Sequence, residues 1–230
     1  MLDTARNTEL SPRDRFLERV ASQGKAFAVS GELGLARVAS QSAHGHQSTL
    51  LWSTRAEAES WAPLVATNSR IKELSLNALV VDVLPGLAKL DRFVSVEWNQ
   101  DPQAPEFDPS DLAERLRLAS LDAFVRRAKA EGRVWTLEDT YGPAMLVSQI
   151  RSGQLFLPAW AERDAAEARI EGPWHQMEIM EIPLAYFIEQ KLTWLAENGY
   201  LVGPDPIGGA ATLELAPDDL KARFVVETAI

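Results

Sequence analysis

Apolar residues recur at three- and four-residue spacing along several stretches of the chain and predict amphipathic helices. The clearest stripe begins at Leu76 and ends at Leu87, and its spacing places its members on one buried face of a helix. Pro85 and Gly86 lie inside this stretch, so we expect a kink there, because proline removes a backbone hydrogen bond and clashes with the preceding turn. A shorter helix is predicted over residues 13–24, where a final glycine can adopt the left-handed conformation that ends helices.

Runs rich in apolar and β-branched residues predict strands. Three of them follow the first helix, and Gly31 and Gly34 can supply the turn between the first two; they cover residues 25–30, 35–40 and 48–53. We expect these three to form an antiparallel sheet. A further strand is predicted after the long apolar helix, and a closing helix is predicted to begin at Pro109.

The same succession of patterns returns when the chain is shifted against itself by 108 positions. This shift pairs Trp52 with Trp160 and Arg55 with Arg163, and it gives about 25 identical pairs without a gap. Chance would give about a quarter of that number, so the sequence indicates a tandem duplication.

The predicted fold class is therefore α+β, with one small unit at 1–118 and a second at 119–230. Each unit holds a short helix, a three-stranded antiparallel sheet, two helices, a strand and a closing helix. Residues 110–131 contain no proline or glycine, so the closing helix of the first unit can continue into the opening helix of the second. The alternative is a break near Ser120. In both cases we expect the units to pack as one rigid body.

The second repeat resembles a bacterial family catalogued as domain of unknown function 2750. Its pattern has a Pro-x-Trp before an Arg- and Ala-containing helix, an Ile-x-Leu before a long helix with a late Trp-Leu, and a Val-Gly strand. The matching residues are Pro158, Trp160, Arg163, Ala166, Ile182, Leu184, Phe187, Trp194, Leu195, Val202 and Gly203. The first repeat departs from the pattern, since it lacks the proline before Trp52 and the late tryptophan. The resemblance implies a fold and a bacterial origin, and no chemistry.

Composition narrows the classes of partner. The net charge is −10 and the sequence pI is about 4.9, which disfavours nucleic acid and anionic membranes because both repel an acidic surface. The chain has no cysteine, so disulfides and thiolate chemistry are excluded. No signal-like segment opens the chain and no apolar run is long enough to cross a bilayer. We expect a cytoplasmic protein.

No motif in the sequence predicts catalysis, a cofactor or a metal site. His44 and His46 have a spacing that could ligate a metal, but the stretch fits a solvated hairpin tip better. Ser69 and Lys72 match an acyl-transferase spacing without its companion motifs. The shared Trp-x-x-Arg could form a binding pair, or the tryptophan could anchor the corner between sheet and helix while arginine pairs with glutamate on the surface.

Two acidic segments that also contain aromatic residues are the candidate partner-binding surface. Residues 97–114 carry six acids and no base, and residues 171–189 carry four acids without lysine or arginine. An exposed aromatic residue among carboxylates suits a basic partner. The aromatic side chain supplies an anchor that is desolvated on binding, and the carboxylates attract the partner and pair with its basic residues. The alternative is that these are solvated loops. The predicted partner-binding residues are Glu97, Trp98, Asp101, Glu106, Asp108, Glu171, Trp174, Glu178 and Glu181.

The favoured hypothesis is a non-catalytic bacterial immunity or antitoxin protein that binds a cognate basic toxin such as a nuclease. An acidic surface can occlude the positively charged cleft of such a toxin. The alternatives are a small-ligand-binding protein or enzyme that uses a groove between the two repeats, and a regulatory adaptor. The oligomeric state is left open by the sequence.

Overall fold

The first helix and the turn after it show how local sequence sets the architecture. In the computed structural model, which describes residues 10–101, 104–148, 151–170, 174–206 and 213–226, helix α1 spans Pro12–Gln23. The Ser11 hydroxyl accepts the Asp14 N–H at its start, and Gly24 ends it with φ of 69°. The chain divides into two compact units, Met1–Leu116 and Arg117–Ile230.

Both units have the same order of elements apart from the last strand of the first unit, whose counterpart in the second unit is only an isolated bridge between Val202 and Leu215, and this confirms the α+β tandem repeat. After α1, the first unit contains β1 (Lys25–Gly31), β2 (Gly34–Leu35), β3 (Arg37–Ala39), β4 (Gln47–Leu51), α2 (Arg55–Val65), β5 (Arg70–Ser75), α3 (Leu76–Ala78), α4 (Leu84–Lys89), β6 (Phe93–Val96) and β7 (Glu106–Phe107). After α5 (Pro109–Glu131), the second unit contains β8 (Arg133–Asp139), β9 (Gly142–Pro143), β10 (Leu146–Val147), β11 (Leu155–Ala159), α6 (Arg163–Glu167), β12 (Glu178–Pro183), α7 (Leu184–Tyr186), α8 (Leu192–Glu197), β13 (Leu201–Pro204) and α9 (Pro217–Val226).

The sheets hold more strands than the sequence predicts. The three expected segments do pair in an antiparallel manner, through β1 with β2 and β3 with β4. In addition β5 pairs with β1, and β6 lies parallel to β4, so the sheet orders are β2-β1-β5 and β3-β4-β6-β7. The prediction of a single three-stranded sheet therefore gave too few strands, because the described residues of the first unit form one three-stranded and one four-stranded sheet. Strand β5 escaped prediction because only Leu74 in it is buried, which leaves no alternation of apolar and polar positions.

The long apolar helix contains a π-helical turn in each unit, at Leu79–Val83 and at Phe187–Lys191. The Leu84 and Leu192 N–H groups donate to carbonyl oxygens five residues earlier. Pro85 is not the cause of this turn, because the second unit has the same turn and carries Thr193 at the equivalent position. The kink expected at Pro85 stays a prediction. The turn belongs to the fold, and proline is tolerated beside it.

Helix α5 is continuous over Pro109–Glu131, so the break considered near Ser120 does not occur. Its 23 residues span about 34 Å at 1.5 Å per residue. Leu112 and Leu116 contribute to the core of the first unit, and Phe124 and Ala128 contribute to the core of the second. That the units form one rigid body stays a prediction.

The shared tryptophans anchor the corner between sheet and helix, as the structural interpretation of Trp-x-x-Arg predicts. Trp52 and Trp160 are each 1% exposed, and their indole N–H groups donate to the carbonyl oxygens of Trp98 and Pro206. Arg55 pairs with Glu59 at 3.8 Å on the surface of α2. Within the described ranges no helix is both long and apolar enough to cross a membrane.

Candidate functional site

Glu97, a predicted partner-binding residue, points into the protein. It is 7% exposed, and its Oε1 accepts the Ser53 N–H at 3.2 Å. Its other oxygen, Oε2, is buried without a hydrogen-bond partner among the described residues. Burial raises the pKa of this carboxyl above its ordinary value, and the nearby Glu57 raises it further. The prediction that Glu97 contacts a partner was therefore wrong in placing it at the surface.

The second unit repeats this arrangement at Asp205. Its Oδ1 accepts the Ala161 N–H at 2.9 Å. Glu97 and Asp205 also both have a positive φ, a backbone conformation that non-glycine residues adopt only where the surrounding structure constrains them. Asp205 differs in having a cationic partner, since Arg127 Nη2 lies 2.7 Å from Oδ2. An acid that holds the same backbone N–H in both copies is a structural part of the fold.

Glu106 also serves the fold. Its Oε2 accepts hydrogen bonds from the Ser40 hydroxyl at 3.0 Å and from the Ser42 N–H at 2.8 Å. Burial acts to raise the pKa of this carboxyl, but the hydrogen bonds from Ser42, Ser48 and Ser40 outweigh burial and lower it. In the second unit the Ser148 hydroxyl donates to buried Glu214 in the same way. Because these hydrogen bonds engage its carboxylate inside the fold, Glu106 is a poor partner-binding candidate.

The remaining predicted residues of the first unit are closer to the surface. Trp98 is half-buried and packs edge-to-face against Trp61, with ring centroids 5.4 Å apart. Asp101 and Asp108 are exposed. Asp108 caps α5, because its Oδ1 accepts the Ser110 N–H at 2.7 Å. The structure therefore does not gather the acids of residues 97–114 into one exposed face.

Of the predicted residues in the second unit, Glu171 lies outside the described residues. Trp174 is half-buried and packs edge-to-face on Trp160, with centroids 6.4 Å apart. Glu178 and Glu181 are exposed and lie on strand β12. These two acids border a surface feature that the sequence did not predict, described next.

A groove of about 410 Å³ runs beside strand β12, and we call it the β12 groove. Lys191, from the π-helical turn of the long helix, lines one side. Tyr186 comes from the preceding turn of that helix. Strands β8 and β12 supply the other lining residues, which are Glu138, Met180, Glu181, Ile182 and Pro183.

Lys191 is held in place at the groove by a carboxylate and an indole ring. Its Nζ lies 3.0 Å from Glu138 Oε1 and 5.5 Å from the centroid of Trp194. Trp194 in turn packs against Tyr200, with centroids 5.6 Å apart. A salt bridge and a cation–π contact together restrict a long side chain that would otherwise move freely. The wall of the groove is therefore preorganised.

Exposed apolar residues lie in the groove and next to it, since Met180 and Tyr186 line it and Trp194 contacts its lining residue Lys191. Met180 is 39% exposed, Tyr186 is 58% exposed and Trp194 is 39% exposed. The equivalent residues in the first unit are Lys72, Ala78 and Gly86. Since both units share one fold, the fold itself does not require these large apolar side chains. A requirement outside the fold, such as binding, would explain them.

Strand β12 is an edge strand. It pairs with β8 over six residues and, among the described strands, has no neighbour on its other side. Glu181 on this strand pairs with Arg133 at 2.7 Å, whereas Glu178 makes no ion pair within the described ranges. Within the part of the chain that the structure describes, the site thus combines an open strand edge, an apolar groove and a carboxylate without a cationic partner.

Within the described ranges, no group of three or more His, Asp or Glu side chains is placed so that it could hold a metal ion. His46 Nδ1 lies 3.1 Å from the Asp91 carbonyl oxygen, to which it donates when that nitrogen carries the proton, and His44 is exposed. Lys72 is exposed on edge strand β5. These positions offer no constellation beyond their local contacts.

Replacing Glu97 with glutamine is expected to raise the free energy of unfolding at neutral pH. A folded-state pKa above the ordinary value means that the folded protein binds more protons, so stability falls as pH rises through that pKa. Glutamine can still accept the Ser53 N–H, and it removes the charge. Urea unfolding at about pH 5 and about pH 8 measures the effect.

Exposed Glu167 provides the control, because Glu167→Gln should leave the pH dependence of stability unchanged. If Glu97→Gln is less stable than the wild type at the higher pH, the buried carboxylate is favourable and the account of Glu97 is contradicted.

One family pattern matches the chain twice, at residues 13–116 and at residues 121–224, and it is described as a protein of unknown function, DUF2750. The chain belongs to the DUF2750 family. The two matches confirm both the resemblance seen in the sequence and its tandem character. A bacterial origin stays a prediction. No curated protein matches this DUF2750 chain.

Two solved structures resemble the DUF2750 chain weakly. One is an Anabaena Tic22 described as a protein-transport protein, with 11% identity and a TM-score of 0.27 over 96% of this chain and 99% of that one. The other is Tic22 from Plasmodium falciparum, with 10% identity and a TM-score of 0.24 over 92% and 96%. Likeness of this size carries no function over to this chain.

Proposed function

We propose that this DUF2750 protein is a non-catalytic cytoplasmic module that binds a basic protein partner at the β12 groove. The specific form that we propose is neutralisation of a basic toxin by an immunity protein. The net charge of −10 supports a basic partner, because complementary charge accelerates encounter and disfavours acidic competitors. We therefore place the proposed binding surface in the second unit and not at the acids of residues 97–114, of which Glu97, Glu106 and Asp108 serve the fold.

The difference between the two copies carries this proposal. Residues that the fold needs are present in both units, as Glu106 and Glu214 illustrate. Exposed Met180, Tyr186 and Trp194 are present in the second unit alone, where they incur a cost in solubility. Tryptophan and tyrosine are also the side chains that most often dominate binding energy at protein interfaces.

The test compares the wild type with a triple variant and a double control variant in a pull-down from the native cell. Met180→Lys, Tyr186→Ala and Trp194→Ala together remove the apolar rim. The equivalent of Trp194 in the first unit is Gly86, but we choose alanine for the substitution because a glycine would destabilise α8. The matched control is Tyr141→Ala with Val147→Ala, which removes two exposed apolar residues of the same unit that do not line the groove.

We expect the wild type and the control variant to retain one basic protein at low salt, and the rim variant to lose it. Retention of the same protein by the rim variant would contradict the proposed site. Co-expression of the identified partner with the wild type then tests the immunity form. Relief of a growth defect caused by the partner alone is expected, whereas a partner without toxicity would favour the regulatory adaptor.

A further inference from the structure

The open edge of β12 has the geometry that an added strand needs. The strand runs over Glu178–Pro183 and pairs along its whole length with β8. A strand uses the N–H and C=O groups of alternate residues on each edge, so half of its backbone groups face away from β8. Among the described strands none pairs with these groups. An extended segment could therefore hydrogen-bond to the β12 backbone.

The groove beside this edge could receive the side chains of such a segment. Side chains of a strand alternate between two faces with a period of two residues. On the face that bears Met180, an apolar side chain of the added strand would contact Met180 and Tyr186 within the 410 Å³ groove. Main-chain hydrogen bonds then supply affinity and the groove supplies selectivity, which is the usual division in strand addition.

Charge around β12 selects a basic segment. Exposed Glu178 and Glu181 lie on the strand itself. The nearby bases, Arg133 and Lys191, are each within 3.0 Å of an acid and so are already neutralised. Residues 174–190 contain no lysine or arginine. Because Glu181 is paired with Arg133, the carboxylate that remains for an added lysine or arginine, among the described residues of β12, is that of Glu178, which lies on the same face of the strand as Met180. An acidic residue at that position would be repelled.

The equivalent edge strand of the first unit, β5, carries exposed basic residues. Strand β5 exposes Arg70 and Lys72, and charged residues on an edge, lysine especially, discourage pairing with another chain. At the position of Lys72 the second unit has Met180. Pro183 at the end of β12 lacks an N–H and limits addition to the residues before it. The β5 edge would therefore repel the basic segment that the acids of β12 would attract.

We infer that β12 binds an extended, basic segment of the partner protein as an additional strand, with an apolar side chain of that segment in the β12 groove beside Met180 and a basic side chain opposite Glu178. This inference rests on the proposed function, to which it adds the recognition mode and the chemistry of the ligand. A second copy of this chain is a different occupant, and it is disfavoured because each copy is strongly acidic.

The probe is a short synthetic peptide in which every second residue is lysine or valine in turn, with threonine at the positions between, so that lysine and valine share the face that would meet Glu178 and Met180. Its control has glutamate in place of each lysine. Two further versions of the lysine peptide carry backbone N-methyl groups. One is methylated at the odd-numbered residues and the other at the even-numbered residues. Because the N–H groups of a strand point alternately to its two edges, only one of the two versions loses the N–H groups that would face β12. All three lysine peptides have the same charge. Binding is measured by titration calorimetry, and amide hydrogen exchange of Glu178–Ile182 is followed in the whole protein.

We expect the lysine peptide to bind, the glutamate peptide not to bind, and one N-methylated version to lose about tenfold or more in affinity while the other is little affected. Exchange of the β12 amides should slow when the lysine peptide is present. Equal binding of both N-methylated versions, or unchanged β12 exchange, would overturn strand addition and leave a basic partner intact. Failure of the lysine peptide to bind would overturn the inference, while the rim variant in the pull-down would still decide the proposed function.

Sedimentation equilibrium of the protein without peptide completes the test. A monomer is expected. A dimer whose β12 amides are already protected from exchange would assign the edge to a second copy and overturn the choice of a basic segment.

Discussion

Replacing Arg127 with leucine is expected to lower the free energy of unfolding by about 2–4 kcal/mol, since it leaves a carboxylate without its cation in a partly buried site. Arg127 Nη2 lies 2.7 Å from Asp205 Oδ2, and the two side chains are 28% and 18% exposed. Burial raises the pKa of the Asp205 carboxyl, and the arginine opposes this increase. Without the arginine, stability should also fall more steeply as pH rises through the pKa of Asp205.

Arg19 is the matched control for this substitution, because the shift of 108 residues places it at the equivalent position of the first unit. It is exposed and forms no ion pair within the described part of the chain. Arg19→Leu should therefore change stability by no more than about 0.5 kcal/mol. Chemical denaturation of both variants provides the comparison, and equal losses would show that the Asp205 pair contributes nothing specific.

Replacing Trp160 with alanine is expected to cost about 3–5 kcal/mol of stability, the range typical of large core residues. Trp160 is 1% exposed, packs against Trp174 and donates its indole N–H to the Pro206 carbonyl oxygen. The cavity and the unsatisfied carbonyl both add to the loss.

Trp194→Ala tests whether the two tryptophans of the second unit have different roles. Trp194 is 39% exposed, so its removal should cost about 1 kcal/mol of stability or less while weakening partner binding. Thermal unfolding measures the first effect for both variants. A loss at Trp194 as large as that at Trp160 would mean that Trp194 serves the core, and it would remove one support for the groove.

Much of the architecture could be predicted because the same pattern is present twice. The apolar stripe from Leu76 to Leu87, the glycine that ends α1 and the Pro-initiated helix α5 are local signals, and the structure contains each of them. Strands β5 and β12 gave no such signal, since one buried residue in each does not establish an alternating pattern. The π-helical turns were also invisible, because they conserve the spacing of the buried leucines closely enough to resemble an α-helix.

The candidate site was harder to predict for a physical reason. Acids in loops rich in polar residues suggest solvent exposure, yet backbone N–H groups and serine hydroxyls can satisfy a carboxylate inside the fold. The sequence did contain one signal that these acids are structural: the shift of 108 residues pairs Glu106 with Glu214 and Ser40 with Ser148, so each unit has the same glutamate and the same serine. The β12 groove is revealed by the opposite comparison, in which Met180 replaces a lysine of the first unit.

The most direct test of the binding account is the affinity of the purified partner for the rim variant, with Met180→Lys, Tyr186→Ala and Trp194→Ala combined. Titration calorimetry should show a loss of about a hundredfold or more relative to the wild type, corresponding to about 2.7 kcal/mol. The control with Tyr141→Ala and Val147→Ala should bind as the wild type does. Unchanged affinity in a correctly folded rim variant would place the binding surface elsewhere and contradict the account.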